Sequence, residues 1–291
     1  MFSFIPKTLG IILNFIYQNL AFQNYGFAII LFTVVVKLLL LPLTIKQSKS
    51  TAKMQEIQPI IQEIQRKYKN DKEKLNEELM KAYAEHKYNP ASGCLPLLVQ
   101  LPILFSLIYV VGKPLTYMLG YSPDQIANEI SIFSEKINSG IVNADLVVKG
   151  FYEQISIVKF NKIIDMRFLG LDLSLVPTWR PNVLFGPEMS TYLPLVILPI
   201  LSFVSTILSN KLMMMSTMKR NNSNDNKDAS QDASVAMQKN MMFIGPMMTL
   251  WVSFQFPAGL GLYWFAGNVF QIFQQLYLNK YIINKKEVKE N

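Results

Sequence analysis

The sequence of 291 residues is 51% hydrophobic and only 16% charged, with a net charge of +8. Soluble domains usually contain about 25% charged residues, so this composition excludes an ordinary soluble protein. A single cysteine, Cys94, and a single histidine, His86, exclude an intrachain disulfide and a Cys/His metal cluster. The sequence also contains no phosphate-binding glycine loop, and it predicts neither an enzyme nor a bound cofactor.

Residues 1–24 are predicted to form an amphipathic helix that lies on the outer membrane surface. The apolar face of that helix consists of Ile5, Leu9, Ile12, Ile16 and Leu20. Lys7, Asn14 and Gln18 lie off this face. A cleaved signal peptide is the alternative, but no cleavage site with small residues follows the apolar stretch.

Five apolar windows follow, and a helix needs about 20 residues to cross ~30 Å of hydrocarbon. We therefore predict an all-α polytopic membrane protein with five transmembrane helices, at residues 25–45, 95–111, 192–210, 241–256 and 260–278. The predicted connections are a cytoplasmic helical hairpin at 46–94, an extracytoplasmic loop at 112–191, a cytoplasmic loop at 211–240, a short outer turn at 257–259 and a basic cytoplasmic tail at 279–291.

Basic residues indicate which connections face the cytoplasm. The hairpin carries ten lysines and arginines, the 211–240 loop five and the tail four. The first 24 residues carry one, and the 112–191 loop balances its seven with eight acids. The positive-inside rule then places the N-terminus outside and the C-terminus in the cytoplasm.

The first predicted span contains one charged residue, Lys37. It lies nine residues before Lys46, so about 13 Å of helix separates it from the cytoplasmic edge, which is beyond the comfortable reach of its side chain. None of the five windows contains an aspartate or glutamate that could pair with the ammonium. An unpaired charge at that depth needs a water-filled recess, and a positive recess attracts carboxylates. The lack of an acid in the windows also argues against a proton- or sodium-coupled carrier.

Polar residues recur at helical spacing in the same windows. Two interpretations are open: the residues hold membrane helices together, or they line a shared polar groove around Lys37. Four such stripes together with one charge favour the groove. Its predicted lining is Thr33, Gln100, Ser202, Ser205, Thr206, Ser209, Thr249, Ser253, Asn268, Gln271 and Gln275.

Within 46–94, apolar residues recur at spacings of three and four over two stretches. The first stripe is Met54, Ile57, Ile61, Ile64 and Tyr68, and the second is Leu75, Leu79 and Ala82. Asn70 and Glu73 are predicted to form a capping box for the second helix. A hairpin of this length is not needed to join two spans, so we expect it to contact a partner rather than act as a solvated spacer.

Nine of the fifteen methionines lie between Met213 and Met248. The flexible thioether of methionine adapts to varied apolar partners, although a core or lipid-facing position is the alternative for each one alone. The predicted partner contacts in this cluster are Met213, Met214, Met241 and Met242.

Two parts of the sequence resemble the YidC family of membrane protein insertases. They are KSTAKMQEIQPIIQEIQRKYKNDKEK with EHKYNPASGCLPLLVQLPILFSLIY, and FPAGLGLYWFAGNVFQIFQQ near the C-terminus. The resemblance covers about residues 25–121 and 167–281, while 122–161 has no recognisable counterpart. It implies five core helices around a hydrophilic groove with one positive residue on the first span. That position is Lys37 here, where most members carry arginine, and lysine lacks the bidentate fork that arginine offers a carboxylate.

The resemblance implies a membrane protein insertase or chaperone that performs no covalent chemistry. A hydrophilic client segment would enter the groove, and an apolar segment would pass into the bilayer, with Tyr263 and Trp264 joining the four methionines as client contacts. The implied partners are nascent membrane proteins and the lipid bilayer of the bacterial plasma membrane. The ribosome, signal-recognition machinery and a general translocon are further candidates, and no specific nucleic-acid sequence is expected. A small-anion channel or carrier and a non-inserting assembly factor remain the alternatives.

Overall fold

The computed structural model describes residues 4–89, 95–142, 147, 150–218 and 244–278. This part of the chain is mostly helical, as predicted. The helices are α1 (Phe4–Asn19), α2 (Tyr25–Leu39), α3 (Leu41–Lys67), α4 (Lys72–Glu85), α5 (Leu95–Gly112), α6 (Pro114–Tyr117), α7 (Pro123–Asn138), α8 (Glu153–Phe160), α9 (Pro181–Leu184), α10 (Met189–Leu195), α11 (Ile197–Met218), α12 (244–253) and α13 (Ala258–Leu278). A short antiparallel hairpin pairs β1 (Arg167–Phe168) with β2 (Leu171–Asp172).

The described chain forms two compact units. The first unit takes its described residues from Met1–Leu38, Leu101–Ser205 and Met247–Asn268. The second unit takes its described residues from Leu39–Gln100, Thr206–Pro246 and Val269–Asn291. Each of the five predicted spans crosses a boundary between these units in the sequence.

Length and hydropathy single out few of the described helices as membrane spans. Met189–Leu212, which contains the predicted third span, is long and apolar enough on its own. Tyr25–Leu39 and Leu41–Thr51 would make a second span if they are taken together, and Leu101–Gly112 is apolar but shorter. The arrangement of five spans therefore stays a prediction.

The helix of the predicted first span is interrupted at Leu40. Helix α2 ends at Leu39, and α3 begins at Leu41 with Pro42 in its first turn. Proline has no backbone N–H and its ring clashes with the carbonyl four residues earlier, so Pro42 fits the first turn of a new helix and not the interior of an old one. Helix α3 thus begins at Leu41, inside the predicted first span, and the boundary between span and hairpin at residue 46 stays a prediction.

Helix α1 occupies the predicted N-terminal segment, but its buried face differs from the predicted apolar face. The buried residues are Pro6, Gly10, Leu13, Ile16 and Tyr17, of which only Ile16 was on the predicted face. Helix α1 packs on α6, and a Cβ built on Gly10 would lie 2.0 Å from the Tyr117 carbonyl oxygen. The close approach of the two helices therefore selects the face that carries the glycine.

The stretch 122–161, which lacks a counterpart in the resemblance, is folded over most of its length. Helix α7 starts with a capping box between Ser122 and Gln125, and α8 buries Ile155, Ile157 and Val158 almost completely. Helix α8 packs against α6 and α7, so it supplies the apolar centre of the region between the second and third predicted spans. Burial raises the pKa of Tyr152, immediately before α8, to about 12.

In the second unit, α3 and α4 pack as the predicted hairpin. Ile57 and Ile61 are 2% and 3% exposed, and Tyr88 from beyond α4 completes their cluster. Predicted stripe residues on both helices, Met54 and Leu79, pack against it. The predicted capping box is wrong, because Asp71 caps α4 by accepting a hydrogen bond from the Lys74 N–H at 3.1 Å.

Candidate functional site

Lys37 lies half-buried on α2 and faces the backbone of α13. A Cβ built on Gly267 would lie 3.4 Å from Lys37 Cε, 3.8 Å from Lys37 Nζ and 3.8 Å from Thr33 Cγ2. Because glycine has no side chain, the lysine stem can run along the surface of α13 at this point. Within the described residues, Lys37 Nζ makes no hydrogen bond or ion pair.

Hydrogen bonds join α11 to α13 in the same unit. The Ser202 hydroxyl donates to the Gly261 carbonyl at 3.1 Å. Gly261 lies six residues, or about 1.7 turns, before Gly267 on α13. The Asn268 amide nitrogen donates to the Ser202 carbonyl at 3.3 Å and to Ser205 Oγ at 3.0 Å. Helix α13 therefore lies between the charged face of α2 and the polar face of α11. We call Thr33, Lys37, Ser202, Ser205, Gly267 and Asn268 the polar seam.

Several hydroxyls of the predicted lining bond to their own helix. Thr33 donates to the Ile29 carbonyl at 2.6 Å, and Ser253 donates to the Thr249 carbonyl at 2.7 Å. Such bonds satisfy a hydroxyl without water, so these residues fit the helix-packing interpretation as well as they fit a groove. Thr249 and Ser253 both lie on α12, one turn apart.

The remaining predicted lining residues with described side chains belong to the second unit. Thr206 and Gln271 are half-buried, whereas Ser209 and Gln275 are buried. The structure adds a bond that the sequence analysis missed, from the Gln274 amide nitrogen to Thr44 Oγ1 at 2.7 Å.

The predicted client contacts are only partly described. Tyr263 is 4% exposed, so a client cannot reach its ring in this conformation. The half-buried ring of Trp264 packs edge-on against Phe256, with centroids 5.9 Å apart. The side chains of Gln100, Met213 and Met214, and all of Met241 and Met242, lie outside the described residues.

An apolar surface lies on the outward face of α11. Ile197, Ile200, Val204 and Leu208 are each 45–53% exposed along one side of the helix. This stripe carries no charge, as expected of a surface that contacts lipid. The same helix therefore offers an apolar face outward and Ser202 and Ser205 inward.

The polar seam can attract an anion and can offer hydrogen bonds to a polar chain. It contains one ammonium, three hydroxyls and one side-chain amide. Lys37 attracts anions electrostatically, and the side-chain amide of Asn268 can exchange its hydrogen-bond partners for those of a ligand. These groups are able to bind a polar or acidic chain.

Comparison with known proteins places the chain in a family. The sequence model of the family described as "60Kd inner membrane protein" matches residues 15–286. A membrane protein insertase YidC of Fusobacterium nucleatum is 32% identical over 281 residues, which cover 94% of this chain and 98% of the relative. A membrane protein insertase YidC of Clostridium perfringens is 36% identical over 270 residues, covering 92% of this chain and 83% of the relative.

A third relative, the membrane protein insertase YidC of Oceanobacillus iheyensis, is 32% identical over 268 residues, or 91% of this chain and 78% of its own. The match of the family model and the coverage of these relatives leave most of the chain accounted for. The chain belongs to the 60Kd inner membrane protein family, the YidC family of membrane protein insertases.

Proposed function

We propose that this protein is a membrane protein insertase of the bacterial plasma membrane, in which the polar seam receives hydrophilic segments of nascent membrane proteins. The observation that carries this proposal is the position of Lys37, which has no ionic partner among the described residues and lies against Gly267 beside the Ser202–Ser205–Asn268 network. A cation placed among exchangeable hydrogen bonds suits a polar, acidic visitor that must enter and leave.

The proposed mechanism uses the seam to shorten the hydrophobic path of a client. A short extracytoplasmic segment enters beside Lys37, which attracts its carboxylates, while the amide of Asn268 and the hydroxyl of Ser205 replace part of its hydration. The apolar segment of the client slides along the lipid-exposed side of the second and fifth spans into the bilayer. Burial of that apolar segment supplies the free energy of insertion.

The proposed topology has five spans, with the N-terminus outside and the hairpin and the C-terminus in the cytoplasm. The hairpin of α3 and α4 would then meet clients, or the machinery that delivers them, before they reach the membrane. The ribosome, signal-recognition machinery and a general translocon are the proposed delivery partners.

A small-anion carrier is the second candidate, and the unpaired ammonium of Lys37 is the observation that favours it. The two functions predict different activities in liposomes. A carrier moves substrate across sealed liposomes without any client, whereas an insertase integrates a newly made protein and produces no anion flux.

The test is reconstitution of the purified protein with one small single-span client synthesised in the presence of liposomes. Protease protection of the translocated segment measures insertion, and chloride and phosphate flux is followed in parallel. We expect insertion without flux. Flux without insertion would replace the proposed function with the carrier, and neither activity would favour an assembly factor.

Water in the seam is tested separately by thiol labelling in a Cys94→Ser background. Asn268→Cys on the seam should react with a water-soluble reagent added from the cytoplasmic side, because thiolate forms where water reaches. Val204→Cys on the outward face of α11 is the matched control and should react slowly, because lipid covers it. Equal protection of both cysteines would contradict a hydrated groove.

A further inference from the structure

A cavity of about 570 Å³ lies in the first unit and shares no lining residue with the polar seam. It is formed by the end of α8 and by the β1–β2 hairpin with the residues that lead into it. Its charged lining consists of Lys159, Lys162, Asp165, Arg167 and Asp172. Three basic and two acidic residues give the cavity a net charge of +1.

The charges of this cavity are unequally compensated. Lys159 Nζ pairs with Asp172 Oδ2 at 2.6 Å, with both side chains about one-fifth exposed. Asp165 Oδ1 accepts the backbone N–H of Arg167 at 3.0 Å. Lys162 and the Arg167 guanidinium are exposed and make no ion pair in the part of the chain that the structure describes. The cavity therefore presents two available cations and one exposed carboxylate, that of Asp165, beside one pair that is already neutralised.

Backbone contacts fix the cavity at one end of α2. Asn24 forms a parallel bridge with Asp165, and the Tyr25 N–H donates to the Asp165 carbonyl at 3.3 Å. The Asn24 side-chain amide donates to the Arg167 carbonyl at 3.1 Å. Tyr25 is the first residue of α2, the helix proposed as the first span. The cavity thus lies at the depth at which that span leaves the hydrocarbon, where lipid phosphates are found.

Exposed apolar side chains lie on both segments that hold the cavity. Phe22, in the turn before α2, is 89% exposed, and Leu169, at the tip of the β-hairpin, is 87% exposed. Solvent-exposed apolar tips beside cations are typical of surfaces that enter the membrane interface. A soluble anion would gain nothing from Phe22 or Leu169, whereas a lipid can contact them with its acyl chains.

We propose that this cavity binds the phosphate of an anionic glycerophospholipid, held by Lys162 and Arg167, with the acyl chains beside Phe22 and Leu169. The inference rests on the proposed function only in taking α2 as the first membrane span. Contacts between basic side chains and phosphate are charge-assisted and retain strength at the membrane surface. Such a bound lipid would fix the outer end of the first span relative to the bilayer.

The test uses the full-length protein in detergent, with bound lipid counted by native mass spectrometry during titration with phosphatidylglycerol or phosphatidylcholine. The test variant is the double substitution Lys162→Asn and Arg167→Gln. Asparagine suits position 162, whose φ of 58° is left-handed. Lys69→Gln with Lys72→Gln removes the same charge at the exposed turn of the cytoplasmic hairpin and serves as the matched control.

We expect the double variant to weaken the tightest phosphatidylglycerol binding roughly tenfold or more, while the control and the phosphatidylcholine titration stay unchanged. Unchanged binding in the double variant, or an equal loss in the control, would overturn the site. Displacement of the lipid by millimolar inorganic phosphate would overturn the lipid assignment, because the cavity would then recognise phosphate alone. Insertion of the single-span client is measured on the same preparations. If the wild-type protein inserts the client but the double variant binds lipid as well as the wild type does, only this inference is removed. If the wild-type protein binds the lipid at this site but inserts no client, only the proposed function is removed.

Discussion

Replacement of Lys37 tests the electrostatic part of the proposed mechanism most directly. Lys37→Leu removes the ammonium but keeps an apolar side chain that can lie along α13 at Gly267. Lys37→Arg keeps the charge, and Lys37→Glu reverses it. We expect insertion to decrease in the order lysine and arginine, then leucine, then glutamate, because a carboxylate at this position repels acidic client segments.

The size of the effect follows from the surroundings of Lys37 Nζ. Lys37 Nζ lies near the backbone of Gly267 and has no ionic partner among the described residues, so its charge is available to a client carboxylate. A pair of unit charges about 4 Å apart is worth roughly 4 kcal/mol at an effective dielectric of about 20. Desolvation of the two groups leaves a net of about 1–2 kcal/mol, which is about tenfold in occupancy for each client carboxylate.

The assay is insertion of two single-span clients that differ only by Asp→Asn in the translocated segment. For the wild type and Lys37→Arg, we expect the aspartate client to insert about tenfold better than its asparagine counterpart. For Lys37→Leu, the two clients should insert at similar rates because the aspartate client loses its advantage. If Lys37→Leu slows both clients by the same factor, the ammonium serves hydration or folding and the electrostatic explanation is wrong.

Three further predictions concern the framework around the site. Gly10→Ala places a Cβ against the Tyr117 carbonyl and should lower the free energy of unfolding by roughly 1–3 kcal/mol. The control is Gly245→Ala, whose Cβ would meet nothing within 4 Å, and an equal effect of both substitutions would contradict the close packing of α1 on α6. Deletion of residues 54–85 should leave a protein that resists carbonate extraction but inserts clients poorly, and wild-type insertion by this variant would exclude a role for the hairpin. The pKa of Tyr152 is raised from 10.0 to about 12, so its neutral form stabilises the folded state below pH 10 and this contribution is lost as the pH rises towards 12; thermal unfolding of Tyr152→Phe should lack that loss, and identical pH profiles of the two proteins would contradict it.

Local pattern was sufficient for the features that depend on a single helix. The spacing of Ile57, Ile61 and Leu79 predicted the packed face of the hairpin, and the structure confirms it. The apolar window 192–210 lies within the stretch Met189–Leu212 that is long enough to span a membrane. Such predictions succeed because burial of one helix face requires only a periodicity that the sequence itself displays.

The exact residues that cap or end a helix were harder to predict from the sequence. Asp71 and not Asn70 caps α4, since either short polar side chain can accept the bond and the path of the preceding turn decides between them. Pro42 indicates the interruption of the helix at Leu40, because proline lacks the backbone N–H that a helix interior needs. Hydropathy alone does not reveal this, because proline does not interrupt an apolar window.

Long-range packing sets which helix faces meet. Ser202 and Ser205 form hydrogen bonds with Gly261 and Asn268, which lie 59 to 66 positions further along the chain. The local sequence around either partner does not indicate the other. Gly267 gave no polar signal, yet the space that it leaves allows the Lys37 side chain to lie along α13. The apolar window around Lys37 was enough to predict one ammonium within an apolar helix. Which backbone it lies against depends on long-range packing, where the shape of the opposing surface decides the partner and helical periodicity carries no information about it.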